Sequence, residues 1–329
     1  VIKDKELLYI DRTKFTKKLQ ANRIFNTFIA ICENSNVKAI QQFLLDNVSK
    51  SEARFTIPVT EEVQQKYSNE IHGSRNQLAI SPHIRNTYSG ISYIPGSTIK
   101  GALVGIIENL INRQKKASKS RAYRDLQTAI YALVGTTATE FSQGLHCSDF
   151  ISLGNAPSKV VDVTYVNAFI EEKKGVPTTL ECLTRDTKLV GKVTVNTKTL
   201  QGLQAIGEKL QGRSASDILK LALAIYSDKD VLATEKRLFG KRALDFEFDP
   251  IKNPKLFGGI KLGLHCGGYS KCINGHRELM DRIKRRPIEH SCCIWHAADK
   301  KVIPMGWSQL MTLTASEYEG RLHSASQYI

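Results

Sequence analysis

A turn followed by a helix start constrains the fold of this chain more than any other feature. Residues 93–101 read Tyr-Ile-Pro-Gly-Ser-Thr-Ile-Lys-Gly, and apolar residues with helical periodicity continue over 102–111. The Pro-Gly pair predicts a turn, and the Ser-Thr pair after it is typical of a helix N-cap. Such a turn leaves backbone N–H groups beside a lysine, which suits a phosphate. The predicted phosphate contacts are Gly96, Ser97, Thr98 and Lys100.

The spacing of this segment does not fit a P-loop. Gly96 and Gly101 have the separation of the P-loop glycines, but Ala102 and Leu103 occupy the positions of its Lys and Ser/Thr. The segment instead resembles the Pro-Gly-Ser-Ser-hydrophobic-Lys-Gly signature of the RAMP superfamily, the RNA-binding subunits of CRISPR effector complexes. This resemblance implies that the chain binds RNA.

The charge of the chain agrees with a polyanionic partner. Among 329 residues, 47 Lys and Arg outnumber 32 Asp and Glu, which gives a net charge of +15. This surplus favours nucleic acid over a membrane surface, although a basic enzyme without such a partner is the alternative. Glu108 and Asn109 interrupt the best apolar stretch, so no membrane span is expected. The seven scattered cysteines are not a disulfide framework and indicate a cytoplasmic protein.

Strands and helices intermix without the regular alternation of a doubly wound sheet, which predicts an α+β fold. We expect two halves, residues 1–146 with an irregular insertion at 49–92, and residues 147–329. Residues 185–187 are predicted to join the last two of the central strands as a hairpin. Asp11 and Thr13 offer caps for a helix through Leu19, and a second helix at 38–48 has an apolar stripe formed by Ile40, Phe43, Leu44 and Val48. The central strands are predicted at 147–153, 159–169, 178–184 and 188–197.

A second glycine-rich segment, residues 255–271, also has the composition of an RNA-binding loop. Its five glycines let a backbone approach closely, its three lysines neutralise phosphates, and its aromatic residues offer a stacking ring. The alternative is a hairpin that needs glycine only for its turns. The predicted RNA contacts here are Lys255, Gly258, Gly259, Lys261, Gly267, Gly268, Tyr269 and Lys271.

Neither a metal site nor an active site is supported by the spacing of candidate residues. The Cys and His residues that invite a zinc interpretation have spacings that fit no standard site, so no cofactor is predicted. Metal-free RNA cleavage needs an acid and a base, usually histidines, and two-metal hydrolysis needs clustered carboxylates. The zinc candidates are Cys266, Cys272, His276, Cys292, Cys293 and His296, and the catalytic candidates are His72, His83, His146 and Asp149.

Several further segments resemble one RAMP subfamily, the fifth subunit of the type III-A Csm complex. They include residues 1–15, residues 84–101 with Arg85, the Leu-Glu-Cys-Leu run at 180–183 and the Pro-Met-Gly-Trp run at 304–307. The chain departs from the family at Val104, where an arginine is common, and lacks the usual first strand with its His-Ile-Gly-type turn. The resemblance adds Arg85 to the expected RNA contacts.

This resemblance implies a ferredoxin-like (RRM-like) RAMP core with a second degenerate half and helical insertions. It also implies a non-catalytic role at the crRNA 3′ end, where the subunit caps the backbone filament. The implied partners are crRNA, the backbone and small helical subunits, target RNA indirectly, and host nucleases that mature the crRNA. Two alternatives stay open: a RAMP endoribonuclease that processes precursor crRNA through the histidines, and a backbone subunit that cuts target RNA through Asp149.

Overall fold

The computed structural model describes residues 1–72, 79–116, 123–153, 158–167, 177–239, 256–263, 266–271, 291–296 and 302–326. Helices and antiparallel strands intermix along the chain, and this arrangement confirms the α+β prediction. No helix within these ranges combines the length and apolarity that a bilayer crossing requires.

The helices of the described residues are α1 (Arg12–Ala21), α2 (Phe25–Glu33), α3 (Val37–Asn47), α4 (Glu61–His72), α5 (Gly96–Lys115), α6 (Tyr123–Ala132), α7 (Ala138–Gly144), α8 (Thr197–Gln204), α9 (Ala215–Ile225), α10 (Ala233–Phe239) and α11 (Ala315–Ser326). The strands are β1 (Ile2–Lys3), β2 (Glu6–Ile10), β3 (Ala53–Pro58), β4 (Ile80–Ser81), β5 (Tyr93–Ile94), β6 (Leu145–Cys147), β7 (Phe150–Ser152), β8 (Ser158–Asn167), β9 (Pro177–Leu183), β10 (Leu189–Val190), β11 (Val193–Val195), β12 (Leu256–Lys261), β13 (Ser291–His296), β14 (Val302–Pro304) and β15 (Trp307–Met311).

The chain opens with a three-stranded sheet in the order β1-β2-β3. Helix α1 begins after Asp11, whose carboxylate accepts hydrogen bonds from the N–H groups of Thr13 and Lys14, as expected for an N-cap. The irregular insertion predicted at 49–92 is wrong at its start, because β3 completes this sheet. Its buried and exposed residues alternate from Ala53 to Pro58, which is the period of a half-buried strand.

A second sheet has five strands in the order β14-β13-β8-β9-β4. The predicted hairpin at 185–187 is wrong, because the strands before and after it belong to different sheets. Strand β9 pairs with β8, whereas β10 pairs with β7. Short strands of similar composition carry little information about which strand they pair with. The prediction paired the strands on either side of residues 185–187 only because they are consecutive in the chain.

The largest hydrophobic core surrounds helix α5. It contains Ile99 and Ile107 of α5 together with residues of α6, α7, α9 and β12, all nearly inaccessible to solvent. This core draws residues from both sides of position 146, where the sequence predicts a boundary between two halves. The division into halves stays a prediction.

Helix α9 continues into a π-helical segment, Tyr226–Leu232, which leads into α10. Just after this segment, Glu235 is fully buried and pairs with Lys261 of β12 at 2.6 Å, and both side chains are inaccessible to solvent. The other carboxylate oxygen accepts from Nε1 of Trp307 at 2.7 Å, and the hydroxyl of Tyr269 also donates to Glu235. Three donors therefore converge on one buried carboxylate.

Removal of this carboxylate should destabilise the protein strongly. In a Glu235→Ala variant Lys261 loses its partner in the interior, and an unpaired buried charge costs about 3–5 kcal/mol of unfolding free energy. Urea denaturation followed by circular dichroism measures the change. Glu319→Ala removes an exposed carboxylate of helix α11 and should change stability by less than about 0.5 kcal/mol. Equal effects of the two variants would contradict the structural role of Glu235.

Candidate nucleic-acid interface

The turn predicted before α5 is present, and its hydrogen bonds identify what caps the helix. Pro95 is the N-cap residue, and the N–H of Thr98 donates to the Pro95 carbonyl at 2.9 Å. The N–H of Gly96 donates to Oδ1 of Asp149 at 2.8 Å. A carboxylate from a distant loop therefore occupies the start of the helix, and the predicted capping by Ser97 or Thr98 is wrong.

Gly96 has a packing role that only glycine can fill. A Cβ atom at this position would lie 2.1 Å from the carbonyl oxygen of Cys147. Its backbone thus lies directly against the loop between β6 and β7, and its N–H is taken by Asp149. Close packing against the protein already accounts for glycine at position 96. Its contact with a phosphate stays a prediction.

The loop between β6 and β7 is held by a second set of hydrogen bonds. The Ser148 hydroxyl accepts from the N–H of Lys192 at 2.8 Å, and the N–H of Ser148 donates to the Lys192 carbonyl at 2.9 Å. The side chains of Ser148, Asp149 and Lys192 are exposed. Sequence analysis missed Ser148 and Lys192, because their proximity follows from the pairing of β6 with β11 and no local pattern signals that pairing.

Lys100 lies one turn along α5, partly exposed and close to Cys147. Burial raises the pKa of the Cys147 thiol to about 11, and the positive charge of Lys100 opposes that shift. Within the described ranges Lys100 has no acidic partner, so its charge is available to a ligand. Gly101 is exposed, and a Cβ placed there would meet no atom within 4 Å. The face of α5 at these residues is open.

We call this region the signature surface. Its members share an exposed or partly exposed position at the start of α5 or in the two loops beside it, between β6 and β7 and between β10 and β11. They are Ser97, Thr98, Lys100, Gly101, Ser148, Asp149 and Lys192.

Strand β12, the first described part of the second glycine-rich segment, is mostly buried. Lys261 was expected to contact RNA, but its Nζ is buried against Glu235 and lies 5.2 Å from the ring centre of Trp307. Gly258 and Gly259 are buried in the pairing of β12 with β15. Gly258 has a φ of +111°, and a Cβ there would lie 3.2 Å from the Leu223 carbonyl. These contacts favour internal roles for Gly258, Gly259 and Lys261, and their RNA contacts stay predictions.

The remaining residues of this segment divide between the core and the surface. Gly267 is buried with a φ of +100°, and Gly268 begins a short 3₁₀ turn. The Tyr269 ring packs against the core and its hydroxyl donates to Glu235, so it does not fit the predicted stacking role. Lys271 is exposed, and its RNA contact stays a prediction. Lys255 lies outside the described residues.

Arg85 also has an internal role. Its guanidinium pairs with the fully buried Glu181 and donates to the Ser158 hydroxyl at 2.5 Å, and 12% of its side chain is exposed. The Tyr9 hydroxyl donates to the same carboxylate at 2.9 Å, and burial followed by the Glu181 charge raises the pKa of Tyr9. The guanidinium also lies 5.0 Å from the ring centre of Phe55, so Arg85 joins β9 to the first sheet, and its RNA contact stays a prediction.

The catalytic and zinc candidates do not form one described site. His83 lies beside Glu181, to which its backbone N–H donates at 3.1 Å, whereas His146 is exposed on β6 in a different sheet. The side chain of His72 lies outside the described residues, as do those of Cys272, His276, Cys292, Cys293 and His296. Cys266 is buried, with its Sγ 3.3 Å from Oγ of Ser270. Within the described ranges no three metal-ligating side chains cluster.

Comparison with known families decides the family of this chain. The RAMP superfamily model matches residues 78–255, more than half of the chain and the whole of the Pro-Gly turn with its lysine. This chain belongs to the RAMP superfamily. The superfamily resemblance of residues 93–101 is thereby confirmed, and so is the RAMP fold.

Solved structures of Csm proteins share this fold from end to end. One is a chain of the cryo-EM Csm–crRNA–target RNA ternary complex of a type III-A CRISPR–Cas system, with a TM-score of 0.60 and 15% identity over 94% of this chain and 93% of that one. Another is the crystal structure of T. onnurineus Csm5, with a TM-score of 0.55 and 15% identity over 94% of each chain. No curated protein matches the sequence significantly.

Substitution of Gly96 and of Gly101 by alanine should change the unfolding free energy in opposite directions. Gly96→Ala forces a Cβ onto the Cys147 carbonyl and should lower the unfolding free energy by about 2 kcal/mol or more. Gly101→Ala adds a Cβ in open space within a helix and should raise it by roughly 0.5–1 kcal/mol. Thermal or urea denaturation of both variants tests the pair. Similar losses for both would show that the start of α5 packs differently.

Proposed function

We propose that this protein is a crRNA-binding subunit of a type III CRISPR effector complex and has no active site. In this proposal it occupies the position of Csm5 and caps the backbone filament at the crRNA 3′ end. Its partners are crRNA and the backbone and small helical subunits, with target RNA nearby. It also aids crRNA maturation by host nucleases in the cytoplasm.

The observation that carries the proposal is the RAMP signature on an open surface with an available lysine. Lys100 has no acidic partner in the described part of the chain, and Gly101 beside it leaves room for a sugar-phosphate backbone. A filament subunit must hold RNA whatever the spacer sequence, so contacts to phosphate and sugar suffice. The end-to-end likeness to Csm5 supports the particular position in the complex.

The positions of the candidate catalytic residues do not favour an active site. His83 lies after β4 beside Glu181 of β9, whereas His146 lies on β6, which pairs with β11 in another sheet. This arrangement does not favour the acid–base pair that an endoribonuclease requires. The Cys147 thiol has a pKa of about 11 and is protonated at neutral pH. Asp149 binds the backbone of Gly96 through Oδ1. These contacts favour structural and binding roles over catalysis.

Purification of tagged protein from cells that carry its native operon tests the proposal. Sequencing of bound RNA and mass spectrometry of bound chains should recover mature crRNA together with other Csm-type subunits. Cross-links from this protein should concentrate at the crRNA 3′ end. Protein that is recovered alone and cleaves repeat RNA in EDTA would overturn the proposal in favour of the endoribonuclease alternative. Loss of target cleavage in an Asp149→Asn complex would favour the backbone-nuclease alternative.

Lys100→Ala should weaken RNA binding by a similar factor for every spacer sequence, because a phosphate contact carries no sequence information. The slope of log K against log salt should fall by about 0.7, the value for one contact to a single strand. Fluorescence anisotropy at several salt concentrations measures both effects. Lys38→Ala removes an exposed lysine of helix α3 and serves as the matched control. A loss confined to one sequence, or an equal loss in the control, would contradict a phosphate contact at Lys100.

A further inference from the structure

The signature surface contains one acidic side chain where a polyanion is proposed to bind. Asp149 is exposed and accepts from the N–H of Gly96, which precedes Lys100 by one turn of α5. Its neighbour Ser148 bonds to the backbone of Lys192. A carboxylate repels phosphate, so its presence on this surface weakens phosphate binding unless it contacts another group of the ligand.

The carboxylate of Asp149 is fixed before any ligand arrives. Oδ1 accepts from the Gly96 N–H at 2.8 Å, and the Ser148 hydroxyl donates to the Asp149 carbonyl at 3.0 Å. Ser148 is itself joined to the backbone of Lys192. Within the described part of the chain no donor contacts Oδ2. The loop therefore presents one carboxylate oxygen in a defined position at the start of α5.

An ionised carboxylate accepts hydrogen bonds and donates none. A single-stranded nucleic acid offers two kinds of donor, the amino and imino groups of the bases and the ribose 2′-hydroxyl. The base donors differ from nucleotide to nucleotide, and a subunit that holds RNA of any spacer sequence does not depend on them. The 2′-hydroxyl is present at every RNA nucleotide and absent from DNA.

We propose that Asp149 accepts a hydrogen bond from a ribose 2′-hydroxyl and thereby makes the signature surface selective for RNA over DNA. Lys100 and Lys192 neutralise the neighbouring phosphates, and the carboxylate adds a contact that a deoxyribose lacks. This inference rests on the proposed function, since it assumes that the signature surface holds a nucleic acid. It assigns a specificity residue and requires no chemical step.

The test compares three strands of one spacer-length sequence: RNA, fully 2′-O-methylated RNA and DNA. Methylation removes the donor and keeps the 2′ oxygen, so it isolates the hydrogen bond that an acceptor needs. Asp149→Asn keeps an oxygen for the Gly96 N–H and turns the other group into an amide that donates to either 2′ oxygen. Asp186→Asn is the matched control, because Asp186 is exposed in a turn with a φ of +64° that asparagine also adopts.

The purified full chain should bind RNA more tightly than 2′-O-methylated RNA, with this one hydrogen bond contributing about tenfold of the preference. Asp149→Asn should remove that tenfold and should also bind DNA more tightly than the original protein, because the repulsion of phosphate is gone. Asp186→Asn should leave all three affinities unchanged.

Two results would overturn the inference and leave the proposed function intact. One is an Asp149→Asn variant with the same RNA preference as the original protein. The other is a variant that binds all three strands equally less well, which would restrict Asp149 to holding the start of α5. If the original protein binds none of the strands, alone or within its purified complex, the proposed function fails and the inference fails with it.

Discussion

The core of this protein depends on where helix α5 begins. Gly96 lies against the carbonyl of Cys147, and Asp149 holds its N–H, so the first residue of the helix is fixed to the loop between β6 and β7. Nine residues of α5 are buried, and the largest hydrophobic core packs around them. The contact that fixes the start of this helix also places the exposed Asp149 at the N-terminal end of α5, one turn before Lys100.

Local sequence patterns predicted the elements whose signals are themselves local. The Asp11 cap of α1, the apolar stripe of α3 and the Pro-Gly turn before α5 all depend on residues within one or two helical turns. The α+β class followed from the mixture of such elements. Buried and exposed residues also alternate in strand β3, from Ala53 to Pro58. The prediction missed this strand because it is short and its surroundings are polar.

The errors concern interactions between residues that are distant in sequence. Lys261 was predicted as an RNA contact from the composition of its glycine-rich segment, and Arg85 from the resemblance to one RAMP subfamily. Their partners, Glu235 and Glu181, lie 26 and 96 residues away along the chain. No local sequence pattern near Lys261 or Arg85 indicates these ion pairs. Strand pairing between distant segments is equally invisible in the local sequence, which explains the false hairpin at 185–187. The exposed cationic surface of the described residues is correspondingly smaller than composition suggested.

The π-helical segment Tyr226–Leu232 has a consequence for how this family can vary. A π-helix makes i→i+5 hydrogen bonds, so it turns less per residue than an α-helix and changes the direction of every side chain that follows. Glu235 follows it directly and points at Lys261. The formation of the buried ion pair is therefore governed by the length of the chain between α9 and α10 as well as by the identities of the two residues. In a relative that keeps both charged residues but is one residue longer or shorter in this stretch, the glutamate would point elsewhere. The buried lysine would then need another partner.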